Sequence, residues 1–122
     1  MQKIKVLIAE DDKLNRVLIC KLLEKYGASC VTAEDGSVAL EKCFAEEFDI
    51  VMLDYNMPGY TGVECAQKIK EWFKEKEAER PFIVGVSADD EHGNNKAFDT
   101  FLSKPFQVEK IKKILSAHLK ED

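Results

Sequence analysis

Lys5-Val6-Leu7-Ile8-Ala9-Glu10-Asp11-Asp12 decides how this chain is read: an apolar run stops abruptly in three acids. Asp49-Ile50-Val51-Met52-Leu53-Asp54 repeats the pattern further on. A strand buried on both faces of a parallel sheet reads as a short continuous apolar run, so each segment is predicted to be a core strand of an α/β sheet. Ligand sites in open α/β sheets lie at the carboxyl ends of the strands. If the two strands are neighbours, Glu10, Asp11 and Asp54 share one crevice. Carboxylates that close repel one another, and a hard cation with oxygen ligands relieves the repulsion. Mg²⁺ is the natural candidate, and because it commonly bridges carboxylates and phosphates, the pattern points to a phosphate site.

Outward from these runs, strands and helices alternate. The first strand is predicted over 4–9. A helix follows over 13–26, with Leu14, Val17, Leu18 and Leu22 on its apolar face and Gly27 as its stop. A second strand covers 29–33. Glu34-Asp35-Gly36 turns into a helix whose face is Val38, Ala39, Leu40, Cys43 and Phe44. The third strand, 49–53, leads to a loop with Pro58 and Gly59. A helix beginning at Thr61 or Gly62 turns Val63, Ala66, Ile69 and Phe73 inward. Its mixed-charge end, 70–80, reads as solvated helix broken by Pro81. A fourth strand covers 82–86. Residues 89–98 are polar and contain Gly93-Asn94-Asn95, leaving room for at most one short helix. A fifth strand covers 100–102. The last helix, 108–119, has the face Val108, Ile111, Ile114, Leu115 and Leu119. Five strands alternating with helices imply a doubly wound α/β domain with a parallel sheet covered on both faces. Right-handed crossovers leave few topologies. The order 2-1-3-4-5 sets strands one and three side by side, as the acids require.

The bulk properties narrow the function classes. A chain of 122 residues is one domain, 1–122, large enough to bury most of its apolar surface. A net charge of −5 argues against nucleic acid as a direct partner, since phosphate contacts need clustered Lys and Arg. The apolar runs 6–9 and 50–53 are too short to cross a bilayer, and the N-terminus lacks a signal-peptide core, so the chain reads as cytoplasmic with no membrane partner. Cys20, Cys30, Cys43 and Cys65 show no metal-type spacing and have no histidine near them in sequence. They read as small apolar residues in a reducing compartment.

Four segments, in order and near the right spacing, carry a resemblance. They are Val6-Leu7-Ile8-Ala9-Glu10-Asp11-Asp12-Lys13-Leu14-Asn15-Arg16, Asp49-Ile50-Val51-Met52-Leu53-Asp54-Tyr55-Asn56-Met57-Pro58, Val86-Ser87-Ala88 and Phe101-Leu102-Ser103-Lys104-Pro105-Phe106. Together they resemble the receiver domain of response regulators in two-component phosphorelays, over nearly the whole chain. The resemblance implies a flavodoxin-like three-layer sandwich, the fold for which the 2-1-3-4-5 order is known. It implies that Asp54 is a phosphoacceptor, a carboxylate nucleophile forming an acyl phosphate. It implies Mg²⁺ as cofactor, held by Glu10, Asp11, Asp54 and the Asn56 carbonyl, with Asp12 outside the direct ligands. Lys104 would pair with Asp54 and then with a phosphoryl oxygen, and relatives hold the Lys-Pro bond cis. Ser87 matches the switch hydroxyl and Phe101 the switch aromatic, so phosphorylation would shift a population between two loop arrangements. Asn56 and Asp89 occupy positions that could orient water attacking the phosphoryl group.

Implied partners are a histidine kinase or histidine phosphotransfer domain and a downstream protein target. The implied role is signalling: the domain assists only its own phosphorylation and dephosphorylation, and is not otherwise an enzyme. Two departures stand out. The interval from Ser87 to Lys104 is shorter than in relatives by about one helical turn, which predicts a shortened fourth helix. The stretch between the third helix and fourth strand is slightly long, as in receivers attached to hybrid kinases. An unphosphorylated pseudo-receiver scaffold is the competing reading. A flavodoxin-like nucleotide binder would want a Gly-, Ser- or Thr-rich loop after the first strand to cradle phosphate, where this chain has acids. An aspartyl-phosphate phosphatase would want its nucleophile in the first strand's acidic motif, together with a substrate cap for which there is no room.

Overall fold

The computed structural model describes residues 3–88 and 95–118. Its strands are β1 (Ile4–Ala9), β2 (Ala28–Ala33), β3 (Ile50–Asp54), β4 (Phe82–Ser87) and β5 (Thr100–Ser103). Its helices are α1 (Lys13–Lys25), α2 (Gly36–Ala45), α3 (Gly62–Glu75) and α4 (Val108–Ala117). All strand pairs are parallel and the order is β2-β1-β3-β4-β5. The register pairs Ala9 with Leu53, which brings the residues just after β1 beside the end of β3.

Strand alternation splits the sheet's side chains between two cores. Leu7, Ala9, Val51, Leu53 and Ile83 face α2 and α3, while Val6, Ile8, Ile50, Met52, Val84 and Leu102 face α1 and α4. The result is the three-layer sandwich predicted from the sequence. Local chemistry starts three of the helices. Asp12 and Asp35 cap α1 and α2 by accepting from the Leu14 and Val38 amides, and Thr61 forms a capping box with Glu64 at α3.

Several expectations need correction. The face of α1 against the sheet is Ile19 and Leu23, with Leu22 packed beside them. Leu14, Val17 and Leu18 point outward, at 64%, 41% and 53% exposure. The helix carries two apolar stripes at helical spacing, and periodicity alone does not say which one meets the sheet. Helix α3 ends at Glu75, with Glu77 at positive φ, so the chain leaves the helix well before Pro81. Arg80 is not part of a solvated helix end. Its guanidinium grips the Asp99 carboxylate with two bonds of 2.8 and 2.9 Å.

Residues 89–94, which include Asp89, and Leu119 lie outside the described residues, so the expectation of a shortened helix between β4 and β5 falls largely outside them. Residues 95–99 form a turn rather than a helix. They are not a polar surface strip: Ala97 and Phe98 are buried with the α2–α3 core. Phe98 lies so close to β4 that a Cβ on Gly85 would fall 2.4 Å from its ring. Val108, expected on the buried face of α4, is 38% exposed, whereas Ile111 and Leu115 are buried. Among the described residues no helix is long and apolar enough to cross a membrane.

Candidate functional site

The site lies at the carboxyl edge of the sheet, where four strand ends deliver side chains to one place. Asp54 is the last residue of β3, and Glu10 follows β1 directly. Their carboxylates and that of Asp11 each offer an oxygen within 4.8 Å of the others. Glu10 and Asp54 are buried, whereas Asp11 is exposed. Ser87 ends β4, and its carbonyl accepts from the Lys104 amide at 2.9 Å, which ties the chain just after β5 to the end of β4. The Lys104–Pro105 peptide is cis.

Lys104 spans the acids. Its Nζ donates to Glu10 Oε1 at 2.7 Å and to Asp54 Oδ2 at 3.1 Å. Burial pulls the ammonium's pKa down, but its hydrogen bonds to Glu10 and Asp54 and their negative charges together outweigh it, so the group sits above the ordinary lysine value. Glu10 Oε2 accepts from the Asp12 amide at 3.1 Å, and Asp54 Oδ1 from the Asn56 amide at 3.3 Å. Gly62 permits the loop after β3 to fold back over the strand. A Cβ there would sit 2.5 Å from the Asp54 carbonyl oxygen, and the Gly62 amide donates to Tyr55 O at 3.0 Å.

Glu10, Asp11, Asp54 and Lys104 therefore share one crevice, with the Asn56 backbone at its rim. Ser87 is buried on the neighbouring strand end. Phe101 stands apart from the acids: it is buried on the α2–α3 side, with its ring centroid 6.3 Å from that of Phe98. Asp12 spends its side chain on the α1 cap. The donor set fits a hard divalent cation, since three carboxylates converge with two of them buried and only one ammonium among them. The thiols offer no rival centre. Burial pushes Cys30, Cys43 and Cys65 up to about 12, and a thiol held that high is inert at neutral pH.

One residue of the site was not singled out from the sequence. Arg16 Nη1 donates to the carbonyls of Glu10 at 2.8 Å and Asp11 at 3.0 Å. In the sequence it closes the first of the four matching segments, six residues after Glu10, with no role assigned to it there.

The family model of the response regulator receiver domain matches residues 6–116. Hybrid signal transduction histidine kinase K of Dictyostelium discoideum is 33% identical over 122 residues, covering 89% of this chain, which spans 10% of that relative's length. The response regulator TrrA of Thermotoga maritima, solved with Mg²⁺ and BeF, superposes with a TM-score of 0.82 at 30% identity, over 95% of this chain and 99% of TrrA. The chemotaxis response regulator CheY4 of Vibrio cholerae gives 0.81 at 27% identity, over 97% of this chain and all of CheY4. A match that runs from the first strand into the last helix, on a strand order shared with solved receivers, leads to one conclusion: this chain belongs to the response regulator receiver domain family of phosphorelay signalling.

Proposed function

We propose that residues 1–122 form one receiver domain that works as a phosphoacceptor switch, taking a phosphoryl group from phosphohistidine onto Asp54. One observation carries the reading: Asp54 is buried at the strand edge between an ammonium and two further acids. In the reaction an Asp54 oxygen attacks phosphorus, the phosphorus–nitrogen bond breaks, and the histidine leaves with its electron pair. Most of the work is positioning and charge neutralisation. Lys104 holds the Asp54 carboxylate beforehand and a phosphoryl oxygen afterwards. Glu10, Asp11, Asp54 and the Asn56 carbonyl would hold Mg²⁺, which supplies positive charge to the phosphoryl oxygens. Ser87, on the neighbouring strand end, donates its hydroxyl to the phosphoryl group, and Phe101 repacks as the β4–β5 face changes.

The donor is a histidine kinase or histidine phosphotransfer domain. Two features support this: the likeness to a hybrid histidine kinase, and the exposed stripe of Leu14, Val17 and Leu18 on the helix that starts beside the acids. Exposed apolar patches next to a polar site mark places where proteins dock.

Incubation with a small acyl phosphate and Mg²⁺, read by intact mass, tests the reading. Wild type gains one phosphoryl group and Asp54→Asn gains none. With a phosphohistidine donor protein, Leu18→Glu slows transfer while the reaction with the small donor persists. No mass gain, together with no Mg²⁺–beryllofluoride perturbation of amide resonances around Asp54, would favour an unphosphorylated scaffold instead.

A further inference from the structure

We propose that Arg16 is a positioning residue for the cation site, holding the turn after β1 so that Asp11 faces Asp54. This rests on the reading of Glu10, Asp11 and Asp54 as Mg²⁺ ligands. The other two acids are aimed through their own carboxylates. Glu10 is held by Lys104 and the Asp12 amide, and Asp54 by Lys104 and the Asn56 amide. Asp11 is exposed, and no hydrogen bond reaches its carboxylate from the described residues. Its aim is set by its backbone, and that backbone is gripped by one nitrogen of Arg16, which donates to the carbonyls of both Glu10 and Asp11. Two consecutive carbonyls drawn to one guanidinium fix the tilt of the two peptides flanking Asp11. The direction of its Cα–Cβ bond follows from that tilt. Arg16 is anchored in turn: its own amide donates to the Asp12 carbonyl at 3.0 Å as α1 begins, and the Asp12 side chain caps the same helix.

Arg16 also brings a positive charge to the turn that carries Glu10 and Asp11, and that charge opposes a divalent cation held there. The two roles therefore predict opposite effects. If Arg16 acted only through its charge, removing it would tighten Mg²⁺ binding. If it positions Asp11, removing it weakens binding despite the lost repulsion. Partners that orient ligands without touching the metal typically contribute about 10–100-fold in affinity, and the opposing charge places the expected effect at the lower end.

The test is the Mg²⁺ dissociation constant, read from amide resonances of residues 10–12 and 54–56 in the folded protein. The variants are Arg16→Ala, Arg16→Gln and Arg16→Lys, with urea unfolding as a separate measure of stability. Arg16→Ala is expected to weaken Mg²⁺ about tenfold. Arg16→Gln, which keeps a donor and removes the charge, should recover part of the loss, with the Asp11 resonance moving back toward its wild-type position. Unchanged or tighter binding in Arg16→Ala overturns the proposal, as does a loss that tracks stability across the three variants without recovery in Arg16→Gln. A wild type that binds no Mg²⁺ overturns the metal reading itself and this inference with it.

Discussion

Replacing Lys104 with methionine keeps the volume of the side chain and removes its charge. Two acids then lose their shared partner: Glu10 Oε1, 2.7 Å from Nζ, and Asp54 Oδ2, 3.1 Å away. Breaking a fully buried ion pair by deleting one partner costs about 3–5 kcal/mol, because the remaining charge stays buried. Here the acid side chains are 5% and 10% exposed, but the lysine is 22% exposed, so water reaches one side of the cluster. Exposed pairs are worth about 0–1 kcal/mol. A value between the limits, about 2 kcal/mol, is expected for Lys104→Met. With a urea m-value of about 1–3 kcal/mol per molar, the unfolding midpoint falls by about 1 M. The assay is urea unfolding at pH 7 with and without Mg²⁺. A cation can take over the lysine's role toward the acids, and a ligand at a hundred times its dissociation constant adds about 2.7 kcal/mol. The variant, freed of the competing ammonium, binds Mg²⁺ more tightly than wild type. The stability gap between the two should therefore narrow as Mg²⁺ is raised. A loss under about 0.5 kcal/mol, within the range of ordinary surface changes, would refute the claim that Lys104 compensates buried charge. A gap that stays constant or widens with Mg²⁺ would refute the claim that lysine and cation compete for the same acids.

Two further predictions concern the segment before β5. The Arg80 fork holds the Asp99 carboxyl below the usual carboxylate range, against a smaller opposing effect of burial, and the Ile83 amide adds to the lowering. A carboxyl lowered on folding contributes stability above its unfolded pKa, near 3.9, and that stability is lost as pH falls through the folded value. Asp99→Asn should therefore cost about 1 kcal/mol at pH 7 and flatten the fall in stability below pH 4, measured by urea unfolding across pH 2–7; an unaltered slope below pH 4 would sink the assignment. Gly85→Ala should cost about 1–3 kcal/mol, because the new methyl would lie 2.4, 2.6 and 2.7 Å from three atoms of the Phe98 ring. Phe98→Leu in that background should recover part of the loss, giving a coupling of at least about 0.5 kcal/mol in a double-mutant cycle, whereas simple additivity would show that the ring does not meet the new methyl.

The chain's own pattern determined the strands and the place of the acids. Val6 to Ala9 and Ile50 to Leu53 are continuous apolar runs closed by carboxylates, and only a strand buried on both faces with a polar end matches that reading. The crossover rule left few strand orders, and the one that the acids require and the receiver resemblance implies, 2-1-3-4-5, is the one found, with Glu10, Asp11 and Asp54 brought together. The starts of the first and third helices, near Lys13 and Gly62, were also legible, and the structure shows Asp12 and Thr61 capping them. Which stripe of α1 meets the sheet was not legible, because Leu14, Val17 and Leu18 repeat at the same helical spacing as Ile19, Leu22 and Leu23. Burial is a property of the packed helix, and a list of residues holds no information on its rotation about the axis. The same limit hid the Arg80–Asp99 clasp, the Phe98 ring over Gly85 and the grip of Arg16 on the Glu10 and Asp11 carbonyls. Each joins groups that carry no mutual signal in sequence, since a charge or a ring finds its partner only once the backbone has brought the two within a few ångströms.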